Sequence, residues 1–148
     1  MNAMKVLLGA ATLIAVSSLA AGAGSPVGNW RSIDDETKQE RSIVSITEEN
    51  GELKGVVQRI FDQPGDDPAQ LCEQCKDERK GKPIIGMTIL WGLRKDGDAW
   101  TGGEILDPKN GKIYRCTITL SEDGKSLNIR GFIGISLIGR TQTWLRQQ

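Results

Sequence analysis

Four turn-forming clusters cut the chain at short intervals: Asn50-Gly51, Lys95-Asp96-Gly97-Asp98, Asp107-Pro108-Lys109-Asn110-Gly111 and Glu122-Asp123-Gly124. Asn-Gly and Asp-Gly pairs supply the positive backbone dihedrals that tight hairpins need, so each cluster reverses a strand. Between them apolar and polar residues alternate, and past residue 23 no 3.6-residue period holds for three turns. This pattern predicts eight strands, at 27–33, 41–47, 53–61, 84–93, 100–106, 112–120, 127–133 and 141–146.

Eight short antiparallel strands form either a two-sheet sandwich or a closed up-and-down barrel. Gly86, Gly92, Gly102, Gly103, Gly131, Gly134 and Gly139 lie in or beside the strands. There they weaken pairing but permit the sharp bends a small barrel needs, and closure removes exposed edges. The expectation is an all-β chain: a small eight-stranded antiparallel up-and-down barrel with one long loop.

The N-terminus carries Lys5, an apolar run from Val6 to about Val16 and an Ala21-Gly22-Ala23 end, the three parts of a cleaved secretory signal. The run falls short of the roughly 20 apolar residues of a membrane helix, and no later segment is apolar enough to anchor the chain. Residues 1–23 are therefore expected to be a signal peptide and 24–148 a single exported domain, most simply periplasmic, with secretion the alternative. Past residue 23 the chain holds 18 basic and 19 acidic residues, a balance that argues against nucleic acid as a partner.

Residues 62–83 interrupt the strand rhythm with Pro64, Gly65, Pro68, the Cys72-Glu73-Gln74-Cys75 pair and a charged run from Lys76 to Lys80. A loop this long in a compact domain is often functional, while charge runs usually mark solvated faces. In an oxidising compartment a local Cys72–Cys75 disulfide is the readier pairing; a bridge from either to Cys116 would close a longer loop but needs the segment to fold over that strand. Thiol exchange through Cys-x-x-Cys is a weaker alternative, because no βαβ unit sets the first Cys at a helix N-terminus and Glu73 opposes thiolate formation.

The chain has no His, which removes the commonest general base, the Ser-His nucleophile pair and a typical zinc shell. Asp34, Asp35, Glu104 and Asp107 remain possible acids or bases, but their spacing identifies no converging pair. No catalytic residue, metal site or cofactor is expected. Cys116 shares one face of its strand with Tyr114, Ile118 and Leu120, and alternation along 89–93 places Ile89, Trp91 and Leu93 together. If the barrel keeps a void, Trp91, Trp100, Tyr114 and Cys116 are its expected lining; if it does not, all four are core.

Gly28-x-Trp30 at the start of the first strand resembles the opening motif of the lipocalins. Three longer stretches, at 86–93, 103–114 and 130–144, together with Gly28-x-Trp30 and the Cys-x-x-Cys loop in order, resemble the bacterial exported family called domain of unknown function 2147. The resemblance implies a lipocalin-like barrel in the bacterial envelope and brings no catalytic residues with it. It also implies that Trp30 and Gly28 close one end of the barrel, with Arg140 or Arg146 packed across the indole. On that fold the leading expectation is a small apolar or amphipathic ligand, with the 62–83 loop as lid or rim. The runner-up is a solid barrel acting on an envelope protein partner through the apolar segment Gly134-Ile135-Ser136-Leu137-Ile138-Gly139.

Overall fold

The computed structural model describes residues 24–134 and 139–148. The expected signal peptide and most of the Gly134–Gly139 surface segment lie outside the described residues. Eight strands follow in order: β1 (Gly28–Ile33), β2 (Glu40–Glu49), β3 (Glu52–Ile60), β4 (Thr88–Asp96), β5 (Ala99–Asp107), β6 (Lys112–Leu120), β7 (Ser126–Phe132) and β8 (Gly139–Arg146). Each pairs antiparallel with the next, and β1 pairs with β8 to close an up-and-down barrel.

Period-two alternation sets what faces inward. Val44 and Ile46 of β2, Leu53 and Val57 of β3, Ile118 of β6 and Leu127 and Ile129 of β7 are buried, while intervening residues such as Lys54, Thr119 and Asn128 are exposed. Burying each large aliphatic side chain contributes about 1.5–3 kcal/mol, so this inward stripe is the main source of stability.

Two strands break the alternation. Leu90 and Leu93 are both fully buried although three residues apart, because β3 and β4 shift register between Leu53 and Gly55 and again between Gly55 and Val56. In β5, Trp100 pairs with Ile118 and Gly103 with Cys116, three residues against two. These bulges bend the strands and raise local twist, which a small barrel needs in order to close.

The tight hairpins β2–β3, β4–β5 and β6–β7 gather at one end with the start of β1 and the finish of β8. Trp30 is fully buried there and its indole N–H donates to the Pro26 carbonyl at 2.8 Å. Arg146 lies over the same ring, 4.2 Å from its centroid, and donates to the carbonyls of Gly124, Val27 and Ser25 at 2.7, 3.0 and 2.6 Å. Gly28 is required beside it, since a Cβ there would stand 2.7 Å from the guanidinium. The β1–β8 ladder runs only through Trp30↔Arg146 and Arg31↔Leu145, so plug and closing seam are one feature.

Candidate functional site

The opposite end is open. Beneath it lies a cavity of about 1110 Å³, just above the usual range for small-molecule sites because its volume includes space at the mouth. Its apolar wall comes from β3 to β8: Val57, Ile60, Ile89, Ile105, Ile129 and Trp144 face it. On the β1, β2 and β8 side the wall is polar, with Ser32, Ser42 and Gln142 uncharged and Arg41 and Arg140 each ion-paired. Ser32 and Ser42 stand opposite each other with hydroxyl oxygens 2.6 Å apart, and Gln142 Oε1 accepts the Trp144 indole N–H at 3.2 Å.

Charge is confined to the mouth. Asp34, Asp35 and Glu36 come from the β1–β2 connection, Asp62, Asp66, Asp67 and Glu73 from the long loop, and Asp107 from the end of β5. Only Arg41, Lys109 and Arg140 oppose them among the lining residues. Backbone N–H groups of Thr37 and Glu36 donate to Asp34 Oδ1 and hold its carboxyl below the ordinary range, with burial opposing and the Lys109 charge assisting. Burial likewise opposes ionisation of Asp66, but the bidentate Arg41 contact at 3.0 and 3.2 Å and the Gln63 N–H outweigh it and lower its pKa. Arg140 Nε lies 2.9 Å from Asp35 Oδ2 off the hydrogen-bond direction, an ion pair bridging β8 to the β1–β2 connection above the unpaired part of the seam.

The long loop is built as a fixed rim. Arg41 ties its start through Asp66, a Leu71↔Pro83 bridge closes its neck, and the Cys72 N–H donates to the Lys82 carbonyl at 2.8 Å. Cys72 and Cys75 are joined and both fully buried, which sets the intervening Glu73 and Gln74 against the cavity. This hairpin seats on the β5–β6 turn: Cys72 Sγ lies 3.7 Å from the Pro108 carbonyl oxygen, and a Cβ at Gly111 would overlap the Gln74 carbonyl. On the outside, Arg79 from the same loop lies 4.8 Å over the Trp91 ring.

The residues expected to line a void are divided. Tyr114 faces the cavity, its hydroxyl 3.1 Å from Asn110 Nδ2. Cys116 is one inward position further down, buried between Gly103 and Gly131, and it does not reach the cavity. Burial first, then the Glu104 charge, push its thiol up to about 12. Trp100 is buried in the closed half and does not line the cavity either. Trp91 stands on the outer face, paired with exposed Glu104, because the β4 bulge reverses its parity. Of the two expected plug arginines, Arg146 holds that position and Arg140 is at the mouth.

Trp144 is an aromatic wall residue that sequence reasoning misses. Its parity with Gln142 and Arg140 in β8 is the signal that could find it, since β7–β8 pairs without a register shift. Among the described residues no cluster of His, Cys, Asp or Glu is arranged to hold a metal ion, and no helix is long and apolar enough to cross a membrane.

A single-chain barrel with an indole-arginine plug at one end and an open, apolar cavity at the other defines a lipocalin-like protein. A Helicobacter pylori protein, HP1028, described as belonging to the lipocalin family, shares this fold with a TM-score of 0.71 at 20% identity over 84% of each chain. Residues 28–146 match the family described as uncharacterized proteins conserved in bacteria, the domain of unknown function 2147, and the chain belongs to that family. None of the curated proteins compared with the chain matches it.

Proposed function

We propose that this protein is an exported, non-catalytic carrier or sensor that binds one small apolar or amphipathic molecule inside the barrel, in the periplasm. The observation that carries the reading is the open cavity, largely apolar on β3 to β8 and polar on β1 and β2, where Arg41 is ion-paired with Asp66. A filled interior would have left only the outer surface to work with. Thiol exchange draws no support from a disulfide whose cysteines are both buried.

The test is binding of a neutral apolar fluorophore, N-phenyl-1-naphthylamine, to the purified protein and to Gly131→Phe. A Cβ at Gly131 meets only ordinary contacts, 3.5 Å to Tyr114 Cβ and 4.0 Å to Ile105, so a side chain fits and projects into the void. Saturable binding that this variant abolishes while keeping its thermal transition supports an internal site. Binding unaffected by the variant would move the site to the surface, and no binding by either would count against a ligand cavity.

A further inference from the structure

The cavity confines where a ligand can carry charge. From β1, β2 and β8 its polar lining is Ser32, Ser42 and Gln142 together with Arg41 and Arg140, both already ion-paired, so an ionised head placed among the apolar wall residues would lose its hydration without a free counter-charge. The head must sit at the mouth. There eight carboxylates face three cations, a balance of −5, in a chain that balances to only −1 past residue 23. The charged residues outside the lining are thus net positive, Lys38 of the β1–β2 connection and Lys76, Arg79, Lys80 and Lys82 of the long loop among them, while those that line the opening are predominantly acidic.

Two ion pairs, Arg41–Asp66 and Arg140–Asp35, account for two of the three cations and leave six carboxylates facing Lys109. Turn hydrogen bonds to some of these fix their position without neutralising them. Glu36 and Glu73 take part in no ion pair or side-chain hydrogen bond among the described residues and remain available to a ligand. A predominantly acidic lining around a low-dielectric hollow focuses its field into the opening and raises the local concentration of the opposite charge.

We propose that the ligand class is an amphipathic cation: an apolar chain or ring system lying against β3 to β8, ended by an amine or ammonium group held at the acidic mouth. This deepens the carrier reading and rests on it. The same rim disfavours a fatty acid or any amphiphile with an anionic head.

The test titrates the purified protein by calorimetry at pH 7 with dodecylamine, dodecan-1-ol and dodecanoate below their micellar concentrations, in low salt and in about 0.5 M salt. The expected order is amine, alcohol, dodecanoate, with about tenfold or more between the ends in low salt and a smaller gap in high salt. The variant Glu36→Lys/Glu73→Lys takes the lining balance from −5 to −1 through two reversals of +2 each, and it should shrink the gap while keeping the parent's thermal transition. Dodecanoate bound as tightly as the amine, or a preference untouched by salt and by the variant, would overturn the charge assignment and leave the cavity reading standing. Failure of all three ligands would overturn the cavity reading and the charge assignment with it.

Discussion

Arg146 and Trp30 meet directly across the seam that closes the barrel, paired in the β1–β8 ladder and stacked with the guanidinium 4.2 Å over the indole. The same guanidinium gathers three backbone carbonyls from residues 25, 27 and 124, so one side chain joins the N-terminal segment, the last strand and the β6–β7 turn. Partial burial lowers its pKa without approaching neutrality at physiological pH.

Arg146→Ala should therefore destabilise the protein by about 2–4 kcal/mol in urea unfolding, because the charge-assisted hydrogen bonds and the stacking on the indole disappear together. Arg146→Lys should recover less than half, since an ammonium cannot reach all three carbonyls in the fork geometry. Ligand affinity should stay unchanged because the plug is at the far end from the mouth. A lysine variant as stable as the parent would refute the fork.

At Gly111 a positive φ of 72° coincides with direct contact from Gln74 of the rim loop. Gly111→Ala should cost more than about 1 kcal/mol and loosen the loop enough for trypsin to cut after its exposed lysines. Gly97→Ala is the comparison: φ is 61° there but nothing lies within 4 Å, so it should cost stability without opening the loop. Equal trypsin cleavage in both would mean that the loop is not seated on Gly111.

Acid should loosen the rim. The folded-state pKa of Asp66 lies below its ordinary value, so the stability it contributes is complete above the ordinary carboxylate range and is lost as pH falls through the depressed value. Asp34 acts in the same direction. The thermal midpoint should fall between about pH 5 and pH 2, and Asp66→Asn should have a lower midpoint at pH 7 with a shallower acid limb. An acid limb identical in the variant would remove Asp66 from the account.

Cys116 should resist alkylation by iodoacetamide in the native protein at pH 8 and react fully once unfolded, because a thiol raised to about 12 is almost wholly protonated and is also out of reach. Rapid native labelling would place Cys116 on an accessible cavity wall.

The strand count, the barrel and the rim loop are legible in the sequence because turn chemistry is local: Asn50-Gly51 or Asp123-Gly124 reverses the chain whatever surrounds it. The expected fourth strand starts at residue 84, whereas β4 begins at Thr88, because residues 84–87 fold as a turn in which the Met87 N–H donates to the Ile84 carbonyl. The wall residues are less legible. Parity propagates along a strand only while register is unbroken, so alternation places Tyr114 correctly on the unshifted β6–β7 pair and misplaces Trp91, which lies beside a bulge. The acidic mouth cannot be read from the sequence at all, since its carboxylates come from three separate connections that only closure of the barrel brings together.

The most direct test of the central claim is native mass spectrometry of the protein purified from its own cells without denaturation, followed by organic extraction. The account predicts a defined excess mass, lost on denaturation and absent from Gly131→Phe. A bare mass for the parent protein across several growth conditions would contradict it and return attention to the outer surface.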